Sequence, residues 1–314
     1  MPPKILVISG PTASGKTRLA VELALRHGGE VVSADSMQVY RRMDIGTAKP
    51  TPEEMRGIPH HMLDVADPEE DFSVARYVEL AAPCVDDILA RGKLPIVAGG
   101  TGLYLDSLLS GRTFAPFSPD GGLRARLEAR FDALGGGAML GELAAADPEA
   151  VARLHPNDRK RIVRALEVFQ QTGKTISQHN RETRALSPRY DALTLSLAFQ
   201  RREDMWARID RRVDEMMAAG LAEEVRALLD SGVPVRCTAM QAIGYKEMAA
   251  ALRGGGDVCA AAEEIKLRSR QYAKRQLTWF RRTEGAKWLF WGPEPDFEAA
   301  CRTSTKYLEE FGLV

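Results

Sequence analysis

KILVIS at residues 4–9, GPTASGKT at 10–17 and RLAVELALRH at 18–27 read in order as a buried strand, a glycine loop and an amphipathic helix, closed by Gly28-Gly29. In that context G-x-x-x-x-G-K-T is a phosphate-binding loop. Gly10, Pro11, Thr12, Ala13, Ser14 and Gly15 let successive backbone N–H groups turn inward around anionic oxygens. The helix N-terminus adds its partial positive charge and Lys16 a full one. The Thr17 hydroxyl is placed to ligate a Mg²⁺ bridging two phosphate groups.

The same alternation continues. EVVSA at 30–34 is a second strand, ending at Asp35-Ser36-Met37-Gln38. A turn-rich segment follows from Gly46 through His61, then a helix over 72–90 with Ser73 as its cap. LPIVA at 94–98 is a third strand, running into Gly99-Gly100-Thr101-Gly102 and another helix. Strands alternating with helices predict an α/β fold: a P-loop NTPase-like parallel sheet flanked by helices. Ligands collect beyond the carboxyl ends of such strands, so residues 10–17, 35–38 and 99–102 are expected to converge on one crevice.

Residues 114–122 have linker composition, and 123–187 are helical and Arg-rich without a convincing strand. DALTLSLAF at 191–199 restores strand character. Helices are expected over 202–219, 222–229, 240–252 and 258–281, with a last strand, KWLFW, at 287–291. The chain is therefore divided into a catalytic core, 1–114 with 191–314, and an inserted all-helical domain, 115–190. The helical spacing of Met205, Ile209, Val213, Met216 and Met217 marks core, not a cofactor box.

At 314 residues and 45% hydrophobic the chain suffices for a generous core and a satellite domain. Cys84, Cys237, Cys259 and Cys301 are widely spaced and read as reduced thiols. Because a strand begins by residue 4, no signal peptide is expected; no apolar run approaches membrane-spanning length, and a cytoplasmic location is expected. His60 and His61 are neighbours on a loop with no third ligand evident, so no zinc site is expected. Formal net charge is zero, yet Lys266, Arg268, Arg270, Lys274, Arg275, Arg281 and Arg282 stand together without an intervening acid and with Tyr272, Trp279 and Phe280 interleaved. A second basic cluster runs from Arg153 to Arg164. Both suit a polyanionic partner, and both suit a solvated helix face.

P-loop motors and switches carry an acidic residue at the end of a second apolar strand. LPIVA ends instead in glycine, and no Asn-Lys-x-Asp tetrad is present. A small-molecule kinase remains, as does a transferase that uses the loop to hold a diphosphate. Asp35, at a strand end, is placed as a general base. Thr101, in its Gly-Gly-Thr-Gly turn, is placed to donate to a developing anion.

GPTASGKT, Ser33-Ala-Asp-Ser-Met-Gln-Val-Tyr40, Gly46-Thr-Ala-Lys-Pro50, Gly99-Gly-Thr-Gly-Leu-Tyr104, His155-Pro-Asn-Asp158 leading to Arg164-Ala-Leu-Glu167, and Gln241-Ala-Ile-Gly-Tyr245 together resemble the tRNA dimethylallyltransferases, or tRNA isopentenyltransferases, over nearly the whole chain. The resemblance implies transfer of a dimethylallyl group from dimethylallyl diphosphate to N6 of the adenosine 3′ of the anticodon, without nucleotide hydrolysis. By matching motif, Asp35 takes the amino proton and Thr101 hydrogen-bonds the oxygen between the allylic carbon and diphosphate. Lys16 and the loop amides neutralise the leaving group, with Thr17 and diphosphate sharing Mg²⁺. Arg208 or Arg212 completes the clamp. Ser36, Met37 and Gln38 line the base pocket, and Gln241, Gly244 and Tyr245 belong to the tRNA-binding set. Lys160, Arg161, Ile162, Val163 and Arg164 of the insertion grip the anticodon stem-loop. No obligate protein partner is evident, and a monomer is compatible with this assignment. The alternative is a P-loop small-molecule kinase with a helical lid.

Overall fold

The computed structural model describes residues 2–111, 121–184 and 187–314. It divides into two compact units, residues 1–109 with 189–314, and residues 110–188.

The first unit is built on six parallel strands. In chain order its elements begin with β1 (Lys4–Ser9), α1 (Lys16–His27), β2 (Gly29–Ser33), α2 (Pro52–Met55), β3 (His60–His61), α3 (Val74–Ala90), β4 (Leu94–Gly99) and α4 (Gly102–Leu109). The sheet order is β3-β2-β4-β1, continued by β5 (Asp191–Phe199) and β6 (Lys287–Trp291). β1 lies at the centre, with Leu6 opposite Ile96 on one side and Leu193 on the other. Ile5, Leu6, Val7 and Ile8 are all buried, because the sheet is covered on both faces. Ile5 and Val7 join the core containing Tyr77, Val85 and Leu108; Leu6 and Ile8 join that containing Leu19, Leu23 and Cys301. Each aliphatic side chain so buried contributes roughly 1.5–3 kcal/mol.

The second unit holds α5 (Gly121–Ala146), which breaks at Gly135 where φ is 76°, then α6 (Pro148–Val151), α7 (Arg159–Thr172) and α8 (Ile176–Arg184). It has its own core, centred on Leu127, Met139, Leu143, Ile162 and Leu166. Phe114 to Asp120 of the expected linker, and Leu186 near the end of the expected helical stretch, lie outside the described residues, while Gly121 and Gly122 open α5.

The first unit resumes through β5, α9 (Arg202–Ala218), α10 (Leu221–Asp230), a 3₁₀ turn at Ala239–Gln241, α11 (Tyr245–Gly254), α12 (Val258–Phe280), β6 and α13 (Phe297–Phe311). Two expectations need correction. The helix expected over 240–252 begins only at Tyr245, because Gly244 takes φ 101° and ends the preceding turn. His60–His61 is an edge strand paired to Val31 and Val32, too short to show a pattern in sequence. Among the described residues no helix is long and apolar enough to cross a membrane.

Candidate active site

The connections leaving β1 and β5 run in opposite directions across the sheet, and the crevice lies beyond the carboxyl ends of these strands. A cavity of about 600 Å³ occupies it, lined by residues 12–18, Asp35, Gln38, Gly99, Arg208, Arg212, Tyr272, Gln276 and the loop from Asp44 to Thr51. A second cavity, about 320 Å³, shares Thr12, Ala13, Asp35, Thr47, Arg212, Met216 and Tyr272 with the first. Its further walls include Ser36, Met37, Ile209, Val213, Ile243 and Ile265. Asp35 thus stands in the partition between a polar chamber and a more apolar one.

The loop conformation explains its glycines. Gly15 is left-handed at φ 80°, and a side chain at Gly10 would come within 2.9 Å of the Leu197 carbonyl oxygen. Ser14 Oγ donates to the Pro11 carbonyl at 2.8 Å, and Lys16 Nζ to the same oxygen at 2.7 Å. From outside the loop, Trp291 Nε1 donates to the Ser14 carbonyl at 2.8 Å. Gln276, buried on α12, accepts from Thr12 N and donates to the Gly100 carbonyl, each at 2.9 Å. One amide therefore ties the phosphate loop to the Gly-Gly-Thr-Gly turn.

Arg208 and Arg212 lie one turn apart on α9 and both reach this loop. Arg208 Nε is 3.4 Å from the Ala13 carbonyl oxygen, and an Arg212 guanidinium nitrogen is 3.4 Å from Thr12 Oγ1. Desolvation in the cavity pushes the Lys16 ammonium down to about 7, Arg212 adds to the shift, and Asp35 opposes it. Desolvation lowers Arg212 too, against the attraction of Asp35. Such a cluster of under-compensated cations favours an entering anion.

Asp35 Oδ1 accepts from Met37 N at 2.9 Å and Gln38 N at 3.4 Å, which fixes the carboxylate at the turn after β2. Thr101 Oγ1 accepts from Ser36 N at 3.0 Å and lies 3.3 Å from Ser36 Oγ, and Thr101 N donates to the Ala34 carbonyl. The Thr101 side chain is therefore bound into the Asp35–Ser36 turn, beside the cavity lining, with Tyr272 next to it. Desolvation pushes the Tyr272 phenol up to about 12, keeping it a donor.

Other expected site residues fall elsewhere. Ile162 and Val163 are buried in the helical unit, so their side chains pack and do not face solvent. Arg164 pairs at 2.9 Å with Glu167, a carboxylate only 1% exposed that Arg124 also holds. Lys160 and Arg161 are exposed. Tyr245 is fully buried and Gly244 is a backbone turn, whereas Gln241, exposed and donating to the Val235 carbonyl, does line the second cavity. His61 Nε2 is bonded to Glu30, which also holds Arg91 and Lys93. The basic run on α12 proves partly compensated in space: Lys266 pairs with Asp214 and Glu263, Arg268 with Glu264, and Arg270 with Asp210.

Tyr272, Gln276, Trp291 and Phe297 were not expected in the site. Trp291 was within reach, since it ends an apolar strand of the same parallel sheet whose central strand runs into the phosphate loop. Tyr272 and Gln276 share one helix face at i, i+4 spacing, a signal too common to single them out.

A family model described as IPP transferase matches residues 38–283, and one described as isopentenyl transferase matches residues 3–70. The tRNA dimethylallyltransferase of Acetivibrio thermocellus is 45% identical over 98% of both chains. The tRNA dimethylallyltransferase 1 of Trichlorobacter lovleyi is 50% identical over 92% of this chain and 94% of that protein. Among solved structures, the full-length tRNA isopentenylpyrophosphate transferase of Bacillus halodurans aligns with TM-score 0.73 at 41% identity, covering 98% of this chain and 96% of that one. A eukaryotic dimethylallyltransferase acting on tRNA aligns with TM-score 0.80 at 29% identity, over 98% of this chain and 78% of that chain. With the glycine loop, the Asp35 turn and the Thr101 turn set at adjoining strand ends, and with relatives this similar over its whole length, the chain belongs to the IPP transferase family, that of the tRNA dimethylallyltransferases.

Proposed function

We propose that this protein transfers a dimethylallyl group from dimethylallyl diphosphate to N6 of the adenosine 3′ of the anticodon in tRNA, acting in the cytoplasm and needing no protein partner. The position of Asp35 carries the assignment: it sits between a cation-lined chamber and a second chamber, within the walls of both. Diphosphate occupies the first, against the loop amides, Lys16, Arg208 and Arg212. The adenine enters the second beside Ser36 and Met37, while Gln38, expected with them, lines the first. The N6 lone pair attacks the allylic carbon, the bond from that carbon to diphosphate oxygen breaks, and the N6 proton passes to Asp35. Thr101 supplies a hydrogen bond to the oxygen that departs. An amine conjugated to a purine is a weak nucleophile, so alignment against a fixed leaving group supplies much of the acceleration. Charge stabilisation on diphosphate supplies much of the rest.

Among the described residues no group of three acidic, histidine or cysteine side chains is gathered for a metal. Thr17, in the cavity wall at the start of α1, would hold a Mg²⁺ through its hydroxyl. Bound there, the ion would neutralise charge on the leaving group. Lys160 and Arg161 of the helical unit contact the phosphates of the anticodon stem-loop, whose unpaired adenine leaves its stack more readily than one in a duplex.

The names of the relatives support prenyl transfer over the small-molecule kinase. Incubation with allyl-labelled dimethylallyl diphosphate and a synthetic anticodon stem-loop tests it. Label is expected on N6 of the adenosine 3′ of the anticodon. RNA that stays unlabelled while ATP phosphorylates a small acceptor would overturn it in favour of the kinase.

A further inference from the structure

Two sequence motifs, Gly46-Thr-Ala-Lys-Pro50 and Gln241-Ala-Ile-Gly-Tyr245, contribute no group to the chemistry above. The structure joins them through a residue in neither. Glu224, on α10, accepts from the backbone N–H groups of Asp44 and Ile45 at 2.8 Å each through Oε2, and from Gly46 N at 3.1 Å through Oε1. The hydroxyl of Tyr245, a fully buried side chain, donates to Oε1 at 2.5 Å. The Tyr245 ring fills the space in front of Gly46, where a Cβ would approach it to 2.5 Å. One carboxylate therefore gathers three successive amides, and one tyrosine holds both the carboxylate and the loop.

The chain of contacts continues inward. The held segment leads to Thr47 and Ala48, whose carbonyls accept from Gln38 Nε2 at 3.3 and 3.1 Å. Gln38 N in turn donates to Asp35 Oδ1, and its side-chain oxygen accepts from Ser33 Oγ at 3.1 Å. Gly46 and Thr47 are themselves walls of the second cavity. We infer that Glu224 and Tyr245 are positioning residues for the acceptor side of the site, setting the Gly46–Ala48 segment and, through Gln38, the turn that aims Asp35. A glutamine at 224 keeps the size but offers a single acceptor oxygen, so it cannot serve all four donors. Phenylalanine at 245 keeps the ring against Gly46 and removes only the hydroxyl.

This inference rests on the proposed transfer and on the second cavity as the place of the adenine. Its test uses the full chain, labelled dimethylallyl diphosphate and the anticodon stem-loop. Glu224→Gln is expected to lower kcat/KM for the stem-loop on the order of 10–100-fold, the cost of a misplacement of about an ångström. Tyr245→Phe is expected to give a smaller loss in the same direction. The affinity of both variants for inorganic diphosphate, read by calorimetry, is expected to match the wild type. The groups that hold diphosphate, namely the loop amides, Lys16, Arg208 and Arg212, are outside this chain of contacts, although Thr47, Ala48 and Gln38 also line the first cavity. A diphosphate affinity that falls in step with kcat/KM would overturn the inference, since it would mark a general loss of structure or a role on the donor side. So would an unchanged kcat/KM. Failure of the wild-type protein to label RNA would instead remove the proposed transfer itself.

Discussion

Phe297 occupies the space that a side chain at Gly15 would need: a Cβ there would lie 2.6 Å from the Phe297 ring. The C-terminal segment thus closes the phosphate loop from outside twice, through this ring and through the Trp291 hydrogen bond to the Ser14 carbonyl. Arg18 stacks over the same ring at 4.2 Å. The loop is held in shape by elements almost the whole chain length away.

Gly15→Ala is therefore expected to damage the cradle in two ways. The left-handed backbone costs a non-glycine residue about 1–2 kcal/mol, and the new methyl group meets Phe297. Diphosphate affinity, measured by calorimetry, should fall at least about tenfold, a loss of roughly 1.4 kcal/mol. Adding Phe297→Ala should recover part of that loss and leave the backbone strain. Wild-type affinity in the single variant would show that the loop tolerates the change.

Lys16 makes both binding and stability depend on pH. In the folded protein its ammonium titrates near 7, against 10.5 as its ordinary value. Between those values the unfolded chain carries the extra proton, so this residue's contribution to stability rises with pH from about 7 to 10.5; below 7 the full cost of the desolvated charge is felt. Lys16→Met should flatten that rise, seen as a smaller pH dependence of the urea midpoint. An entering diphosphate favours the charged form, so binding at pH 8 should take up close to one proton. Calorimetry in buffers of different ionisation enthalpy measures this uptake; equal proton uptake in Lys16→Met would assign it elsewhere.

Much of the site is legible in the chain because its signals are local. The strand, glycine loop and helix at 4–27 lie in one run, and Asp35 and Thr101 announce themselves by following apolar strands. The apolar runs at 191–199 and 287–291 coincide with β5 and β6. What escapes is set by distant partners. Arg270 looks uncompensated until α9 brings Asp210, 60 residues away, against it. Glu224 is one acid among several on an amphipathic helix until its carboxylate meets the amides of residues 44–46. Ile162 and Val163 sit inside a basic stretch, and only the packing of α7 on α5 separates its buried face from its solvated one.

Asp35→Asn isolates the basicity of the carboxylate from its structural part. The side-chain oxygen that accepts from Met37 N is retained, so the turn after β2 should keep its shape. Removal of a general base typically costs about 10²–10⁴-fold. Transfer to the stem-loop should fall within that range, with diphosphate affinity close to wild type. Turnover within about twofold of wild type would show that another group takes the N6 proton.

Lys160→Glu with Arg161→Glu tests the helical unit as the RNA contact. Both side chains are exposed, and among the described residues Arg161 has only a 3.9 Å approach to Asp158 to satisfy it. Each lost phosphate contact removes about 0.7–0.9 from the slope of log affinity against log salt. The double variant should therefore bind the stem-loop more weakly at low salt and with a slope shallower by about 1.5. Arg164→Glu is the contrasting control. It sets an acid against Glu167 and should cost about 2–3 kcal/mol of stability, below the full price of a buried pair because the guanidinium is partly solvated. A salt slope left unchanged by the Lys160 and Arg161 reversals, in a variant that melts normally, would place the RNA on a different surface, and Arg281 and Arg282 beyond α12, which make no ion pair among the described residues, would be the next pair to reverse.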